Sequence, residues 1–426
     1  MDHQLEGFDF AEEHHYSING FSMGYGKTLI GIMLTIKHSE RTLIVCPAFL
    51  KRNWEKEFVK FCKKKLKIKV LFSKDLKNFK PNDEDVLIVN YEIIGKCRHL
   101  FSWADLVLAD ESHYLSNPSA KRTMAFAEFV EVERPERMLL MSGSPIRGKV
   151  PQWFAPIYLT SLNPKKTSGI DIRKTHVNSF WSFQKHFCSE TMMRLGNRTI
   201  TKFEGLKNVE GLKKLLKNKY IRTVPSFKLK LPPLIPEIVT VDYSIMDEDL
   251  EEAWKAYREG TKIGEHVSSA KKSSALNKTP FTFNFVKNII DQGCGPVVIY
   301  SDHIDPVINL TKMFNDKKIK ARHICGSVPT EERNRIVTDF QDNKLDVLTA
   351  TIGAASSGIN LTTGTKLVFN DISWINTEND QAKKRIHRIG QKLQCNVYYI
   401  AGSRIDKLIV KTTTEKDEIQ KQTVEI

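Results

Sequence analysis

The sequence predicts an α/β protein in which two parallel-sheet domains follow one another in tandem with a helical insertion between them. Three observations carry that prediction. Short apolar, β-branched runs without polar alternation recur at 42–46, 86–89, 106–109 and 138–141 and again at 297–300, 347–350, 367–369 and 397–400, as strands buried on both faces do. Each run is followed by a stretch of helical character, so the sheets are expected to be parallel and flanked by helices. Between the two groups the pattern changes to helix-like spacing (Phe180, Trp181, Phe183, Phe187; Leu212, Leu215, Leu216), rich in lysine and broken at Pro232, Pro233 and Pro236. The expected organisation is a first domain over 1–161, an insertion and linker over 162–280, and a second domain over 281–426.

With 426 residues, 41% hydrophobic and 27% charged, the chain has the composition of a globular protein of two or three domains. Sixty-five Lys+Arg against 50 Asp+Glu leave a formal charge of +15, which favours a polyanionic partner; nucleic acid is the first expectation. The opening residues lack a basic segment followed by an apolar one, and no apolar run spans a bilayer, so a soluble cytoplasmic protein is expected. Seven cysteines without CxxC spacing fit neither a disulfide framework nor a zinc site and read as small buried hydrophobes.

The chemistry begins at Gly24-Tyr25-Gly26-Lys27-Thr28, which opens an apolar helix. Glycines let backbone N–H groups curl round a phosphate at a helix N-terminus, Lys27 reaches the β/γ oxygens, and the Thr28 hydroxyl ligates Mg²⁺. Phe21 stands where the full P-loop pattern has its first glycine, so a glycine-rich turn before a core helix is the bland alternative. The strand 106–109 then delivers Asp110 and Glu111, the second half of such a site: Asp110 to hold Mg²⁺, Glu111 to orient or deprotonate the attacking water.

With these residues in order, the chain resembles the superfamily 2 helicases of SWI/SNF type, and is similar to compact SWI/SNF-like branch-migration helicases of tailed bacteriophages. His3 to Phe8 resembles the Q-motif, which implies that Gln4 meets the adenine edge. Gly24 to Thr28 is similar to motif I, and Leu43 to Ala48 to motif Ia, whose family role is gripping the DNA backbone. Asn90-Tyr91-Glu92 resembles the next strand-end motif, Asp110-Glu111-Ser112-His113 the DEAH-type motif II, and Ser142-Gly143-Ser144-Pro145 motif III. In the second domain Val298 to Asp302 resembles motif IV, Gly353 to Leu361 motif V, and Gln381 to Gln391 the SWI/SNF form of motif VI.

The resemblance implies two RecA-like domains, ATP and Mg²⁺ as cofactors, and Arg385 and Arg388 as finger and neighbour facing the nucleotide. Their spacing of three would aim both at one target on a helix, and a guanidinium at the γ-phosphoryl is worth about 10³- to 10⁵-fold in rate. Gly358 joins Gln4, Gly24, Gly26, Lys27, Thr28 and Asp110 in the expected nucleotide site. Pro47, Lys51, Tyr91, Ser142, Ser357 and Asn360 are the expected DNA contacts, directed at phosphates rather than base edges. Departures are Phe21-Ser22 before motif I, Ser112 for the DEAH alanine, serines for the threonines of motif III, and Thr223 where the family often has arginine.

The expected function is therefore an ATP-dependent DNA helicase or translocase acting on duplex, forked or four-way DNA in recombination, repair or replication. The chain spans the Q-motif to motif VI with no accessory module in between, so branch recognition is expected of the insertion or the core, with Lys213, Lys214, Lys217, Lys219, Lys228 and Lys230 as DNA-facing residues. The lysines from Lys60 to Lys69 read as a solvated face, and Trp181, Phe183 and Phe187 as the insertion's own small core. A duplex translocase that remodels protein–DNA complexes without unwinding, an RNA helicase, a scaffold with a decayed nucleotide site and a nuclease subunit are the competing readings; the intact Lys27, Thr28, Asp110, Glu111, Arg385 and Arg388 argue against decay.

Overall fold

The structure is a computed structural model that describes residues 2–22, 24–38, 41–146, 149–163, 169–195, 198–222, 231–241, 263–355, 359–388, 390–402, 406 and 409. The chain divides into two compact units, one built on each of two parallel sheets.

The first sheet takes β1 (Tyr16–Asn19), β2 (Thr42–Cys46), β3 (Ile68–Val70), β4 (Val86–Asn90), β5 (Leu106–Asp110) and β6 (Arg137–Met141). Alternate residues of one strand feed opposite faces: Leu43 and Val45 join one apolar cluster, Ile44 and Cys46 the other. That two-sided burial is why these runs do not alternate with polar residues. One cluster is closed by Phe8, Ile30, Trp54 and Phe58 from the helices Asp2–Glu13, Lys27–His38 and Lys51–Phe61. The other is closed by Phe101, Phe126 and Trp153.

The 162–280 segment holds the helices Phe180–Phe187 and Val209–Leu216, and strands as well. β7 (Cys188–Leu195) and β8 (Arg198–Leu206) form a two-stranded sheet of their own, and β9 (Tyr220–Ile221) joins the first sheet, whose order is β3-β4-β2-β5-β6-β1-β9. The expectation of a separate insertion core is corrected here. Phe183, Phe187, Leu212, Leu215 and Leu216 are continuous with the first sheet's own cluster, and Trp181 is 55% exposed, edge-on to Phe203 with the Lys185 ammonium over its ring. An eight-residue helix buries only one narrow stripe, and Trp181 lies off it.

The proline-rich stretch becomes β10 (Leu234–Thr240), the outermost strand of the second sheet, which continues with β11 (Val297–Ser301), β12 (Ala321–Ile324), β13 (Val347–Thr351), β14 (Lys366–Phe369) and β15 (Cys395–Ala401) in the order β10-β15-β14-β11-β13-β12. Pro236 sits within β10 because an edge strand has N–H positions that need no partner. The 29-residue helix Ile263–Asp291 runs along this unit through Pro280, burying Ala275, Phe283 and Val286.

Candidate nucleotide site

The site is assembled at the C-terminal ends of β1 and β5, where a parallel sheet leaves strand ends and helix N-termini facing open space. Asn19, the last residue of β1, is fully buried; its carbonyl accepts from Ser142 N–H at 3.1 Å and its Oδ1 from Phe21 N–H at 3.0 Å. The chain then turns through Gly24 (φ +84°) and Gly26 (φ +77°), left-handed conformations that favour glycine. A Cβ on Gly26 would lie 2.0 Å from Gln4 Nε2, so any other residue there would displace that side-chain amide. The Gln4 amide thus rests on the loop, and the neighbouring His3 Nε2–H donates to Tyr25 O at 3.2 Å. Lys27 begins the helix Lys27–His38, and its ammonium donates to the loop's own carbonyls, Phe21 O at 2.8 Å and Ser22 O at 3.2 Å. Thr28 follows, half-buried in the first turn.

Across the sheet, Asp110 closes β5. Its Oδ1 accepts from Glu111 N–H at 2.9 Å and its Oδ2 from Trp54 Nε1–H at 2.9 Å, while its carbonyl accepts from the Tyr91 hydroxyl at 2.8 Å. Burial, with the Glu111 carboxylate next to it, pushes the Asp110 carboxyl up to about 6 against the pull of Lys27. Glu111 sits at φ +52°, a left-handed conformation that costs a non-glycine residue about 1 kcal/mol or more and turns its side chain out of the strand direction. Its Oε2 lies 3.1 Å from His113 Nδ1, which is also 3.1 Å from Ser142 Oγ; Ser142 Oγ in turn accepts from Ser144 N–H at 3.2 Å. His113 Nδ1 thus stands in contact distance of both the second carboxylate of motif II and the first serine of motif III.

A triphosphate with Mg²⁺ fits this donor set. The Lys27 charge already sits on two oxygens that phosphate oxygens can replace, and Thr28 and Asp110 supply hard oxygen ligands beside it. The bound cation would neutralise phosphate charge.

Several expected DNA contacts point inward instead. Pro47 is buried, and Lys51 is 3% exposed, donating to Leu71 O and Asn90 Oδ1, each at 2.9 Å, beneath the Phe72 ring. Tyr91 and Ser142 are fully buried on Asp110 and His113. These side chains hold strand ends in place and leave surface groups to meet a polymer. Asn360 is exposed, while Ser357, Gly358, Thr223, Lys228 and Lys230 lie outside the described residues. Lys213, Lys214 and Lys217 are exposed, whereas Lys219 is buried with its ammonium lowered to about 8 by desolvation. The lysines of the 60–69 stretch are exposed, with Lys67 paired to Asp83 and Lys69 to Glu84.

In the second unit Arg385 lies half-buried in the last turn of the helix Asn376–Ile386, close enough to the buried Tyr300 hydroxyl to bias it. The helix ends at Ile386, so Arg388 is not on it, and a shared helical face does not relate the two arginines. His387 and Gln391 account for the end: His387 Nε2–H donates to Pro232 O at 2.7 Å, and the Gln391 amide donates to Thr362, Gly364 and Ile386 carbonyls. Trp54 and Asn19 were not singled out in the sequence. Their only signal was position, an indole one turn into the helix after motif Ia and an amide a few residues before the glycine-rich loop.

The fold and site define a tandem RecA-like core of the helicase type, with its phosphate loop and acidic strand end in the first unit. The chain belongs to the SNF2-related family: the SNF2-related domain matches residues 11–287 and the helicase conserved C-terminal domain residues 282–390. It is similar to the DNA annealing helicase and endonuclease ZRANB3 of Bos taurus, 26% identical over 94% of this chain and 38% of that protein. It is also similar to the SWI/SNF-related matrix-associated actin-dependent regulator of chromatin subfamily A-like protein 1 of Xenopus laevis, at 21% over 94% of this chain and 42% of that one. The chain thus spans about two fifths of these relatives. The Sulfolobus solfataricus SWI2/SNF2 ATPase core in complex with dsDNA aligns at 19% identity with a TM-score of 0.44, covering 99% of this chain and 93% of that one. Among the described residues no helix is long and apolar enough to cross a membrane.

Proposed function

We propose that the chain is an ATP-driven, DNA-dependent motor of SWI/SNF type that moves on duplex or branched DNA and drives fork remodelling or branch migration. The observation that carries the reading is the chain of contacts from Asp110–Glu111 through His113 to Ser142 and back to Asn19 at the root of the phosphate loop. In this reading Lys27 exchanges Phe21 and Ser22 carbonyls for phosphate oxygens, and Thr28 and Asp110 hold Mg²⁺. Glu111 orients the attacking water, and Arg385 and Arg388 supply guanidinium to the developing charge. Movement of the Glu111 carboxylate reaches motif III through one imidazole. The +15 charge supports a polyanionic track, and similarity to a DNA annealing helicase supports DNA as that track.

The test is ATP hydrolysis and strand exchange with forked, four-way, blunt duplex and single-stranded DNA, and with RNA. Expected is stimulation by DNA, greatest with branched substrates; Lys27→Ala and Glu111→Gln each lose at least about 10³-fold of stimulated hydrolysis while retaining DNA binding. Stimulation by RNA alone would overturn the substrate, equal rates on all DNA forms the branch preference, and wild-type turnover by both variants the site.

A further inference from the structure

The helix Lys51–Phe61 directly follows the motif Ia segment and turns Lys51, Trp54 and Phe58 inward, three positions of one face. It touches the site at separate places. At its first turn the Lys51 ammonium holds Asn90, the last residue of β4. Three residues on, the Trp54 indole, 1% exposed, gives its Nε1–H to Asp110 Oδ2, the last residue of β5. The far edge of the same ring lies over the phosphate-loop helix: a Cβ built on Gly31 would be 3.1 Å from Trp54 Cη2. Glycine at 31 therefore leaves the space in which the indole lies between that helix and the carboxylate.

We propose that Trp54 is a positioning residue for the metal-holding Asp110 carboxylate, and that through it the helix following the motif Ia segment sets the geometry of the Mg²⁺ site. The inference rests on the reading of Asp110 given above. An indole N–H only donates, so Oδ2 is fixed in rotation with no competing acceptor, while Oδ1 is tied to the Glu111 amide. Neutral donors leave the carboxylate its full charge for a cation, which an ammonium in the same place would not. Displacement of the helix Lys51–Phe61 then alters carboxylate orientation through a single hydrogen bond.

The experiment compares wild type, Trp54→Phe, Gly31→Ala and Lys27→Ala by equilibrium binding of a fluorescent ADP analogue, in EDTA and across a Mg²⁺ titration, alongside hydrolysis. Trp54→Phe keeps an aromatic ring against Phe58 and removes the donor. Its nucleotide affinity in EDTA is expected within twofold of wild type, while the Mg²⁺ concentration for half-maximal tightening rises about tenfold, the usual loss when an outer-shell partner of a ligand is removed. Gly31→Ala crowds the indole without touching its N–H, and crowds Leu108 Cδ1 equally, at 3.1 Å. Made alongside Leu108→Val, which relieves that second contact, it is expected to shift the same midpoint in the same direction by about threefold, and the pair decides the matter if Trp54→Phe does not fold. Equal loss of affinity with and without Mg²⁺ would make Trp54 a packing residue only, and unchanged midpoints in both variants would overturn the proposal. If Lys27→Ala bound nucleotide as wild type does, the underlying site assignment would fail instead.

Discussion

The two sheets end alike and are finished differently. Both deliver carboxylates at the C-terminal edge of a parallel sheet, but in the second unit two of them, Asp302 and Asp406, are matched by an ammonium. Asp302 pairs with the Lys271 ammonium, and Asp371 accepts from Ser301 Oγ–H and, at 3.1 Å, from Asp302 N–H. Asp406 accepts from fully buried Lys278 at 2.7 Å and from Gly402 N–H at 3.0 Å. In the first unit Asp110 and Glu111 are adjacent like charges, and Asp110 is held by an indole and an amide, which orient without neutralising. The same architecture thus carries ammonium-paired carboxylates in one copy and, in the other, an adjacent acidic pair whose first member is held by neutral donors. Incomplete compensation, more than the presence of acids, distinguishes the working edge.

The sharpest way to break this contrast is Lys278→Met. It strands Asp406 in a buried position, and a loss of about 3–5 kcal/mol in chemical unfolding is expected; a loss under about 1 kcal/mol would mean that the second edge is not held by its pairs. The reverse is expected of Lys219→Met in the first unit. Lys219 is 3% exposed, with its pKa lowered to about 8 chiefly by burial, against an attraction to Asp171. The unfolded chain keeps this proton to its ordinary value, so below about pH 8 the native state bears a cost of roughly 3 kcal/mol that fades as pH rises toward 10.5. Lys219→Met should therefore be more stable at pH 7 and lose its advantage in alkali, as melts at both pH values would show. The smallest effect is Asp110→Asn. Removing one of two adjacent desolvated charges should raise stability without Mg²⁺ by roughly 1–2 kcal/mol while hydrolysis falls, whereas Asp406→Asn should lower it. Parallel changes in the two variants would erase the distinction.

Buried strands were legible where two-sided burial writes an unbroken apolar run: β2 has its predicted bounds, and β4, β5 and β11 extend by one polar residue. By contrast β1 (Tyr-Ser-Ile-Asn), buried throughout between β6 and β9, was missed because a serine and an asparagine interrupt its run. Edge strands were not legible. β3 (Ile-Lys-Val) and β12 (Ala-Arg-His-Ile) mix charge with apolar residues because one side meets solvent, and β10 reads as a break because prolines are tolerated only at an edge. In the site, the residues proposed to meet a ligand could be named from type and order. Those that hold them could not, since nothing in the letter of Lys51, Trp54 or Tyr91 says that it turns inward, and a lysine after motif Ia reads as a phosphate contact until its 3% exposure is known.

The strand β9 leaves the first sheet after only two paired positions, Tyr220 with Ile18 and Ile221 with Asn19, whereas β10 enters the second with seven residues laddered to β15. Both run parallel to their neighbours, so a pull along the connecting chain would load each ladder lengthwise and strain its bonds together rather than peel them singly. The shorter anchor must yield first. It is fastened to Asn19, one residue before the loop that carries Lys27, so mechanical load on the connector is delivered beside that loop.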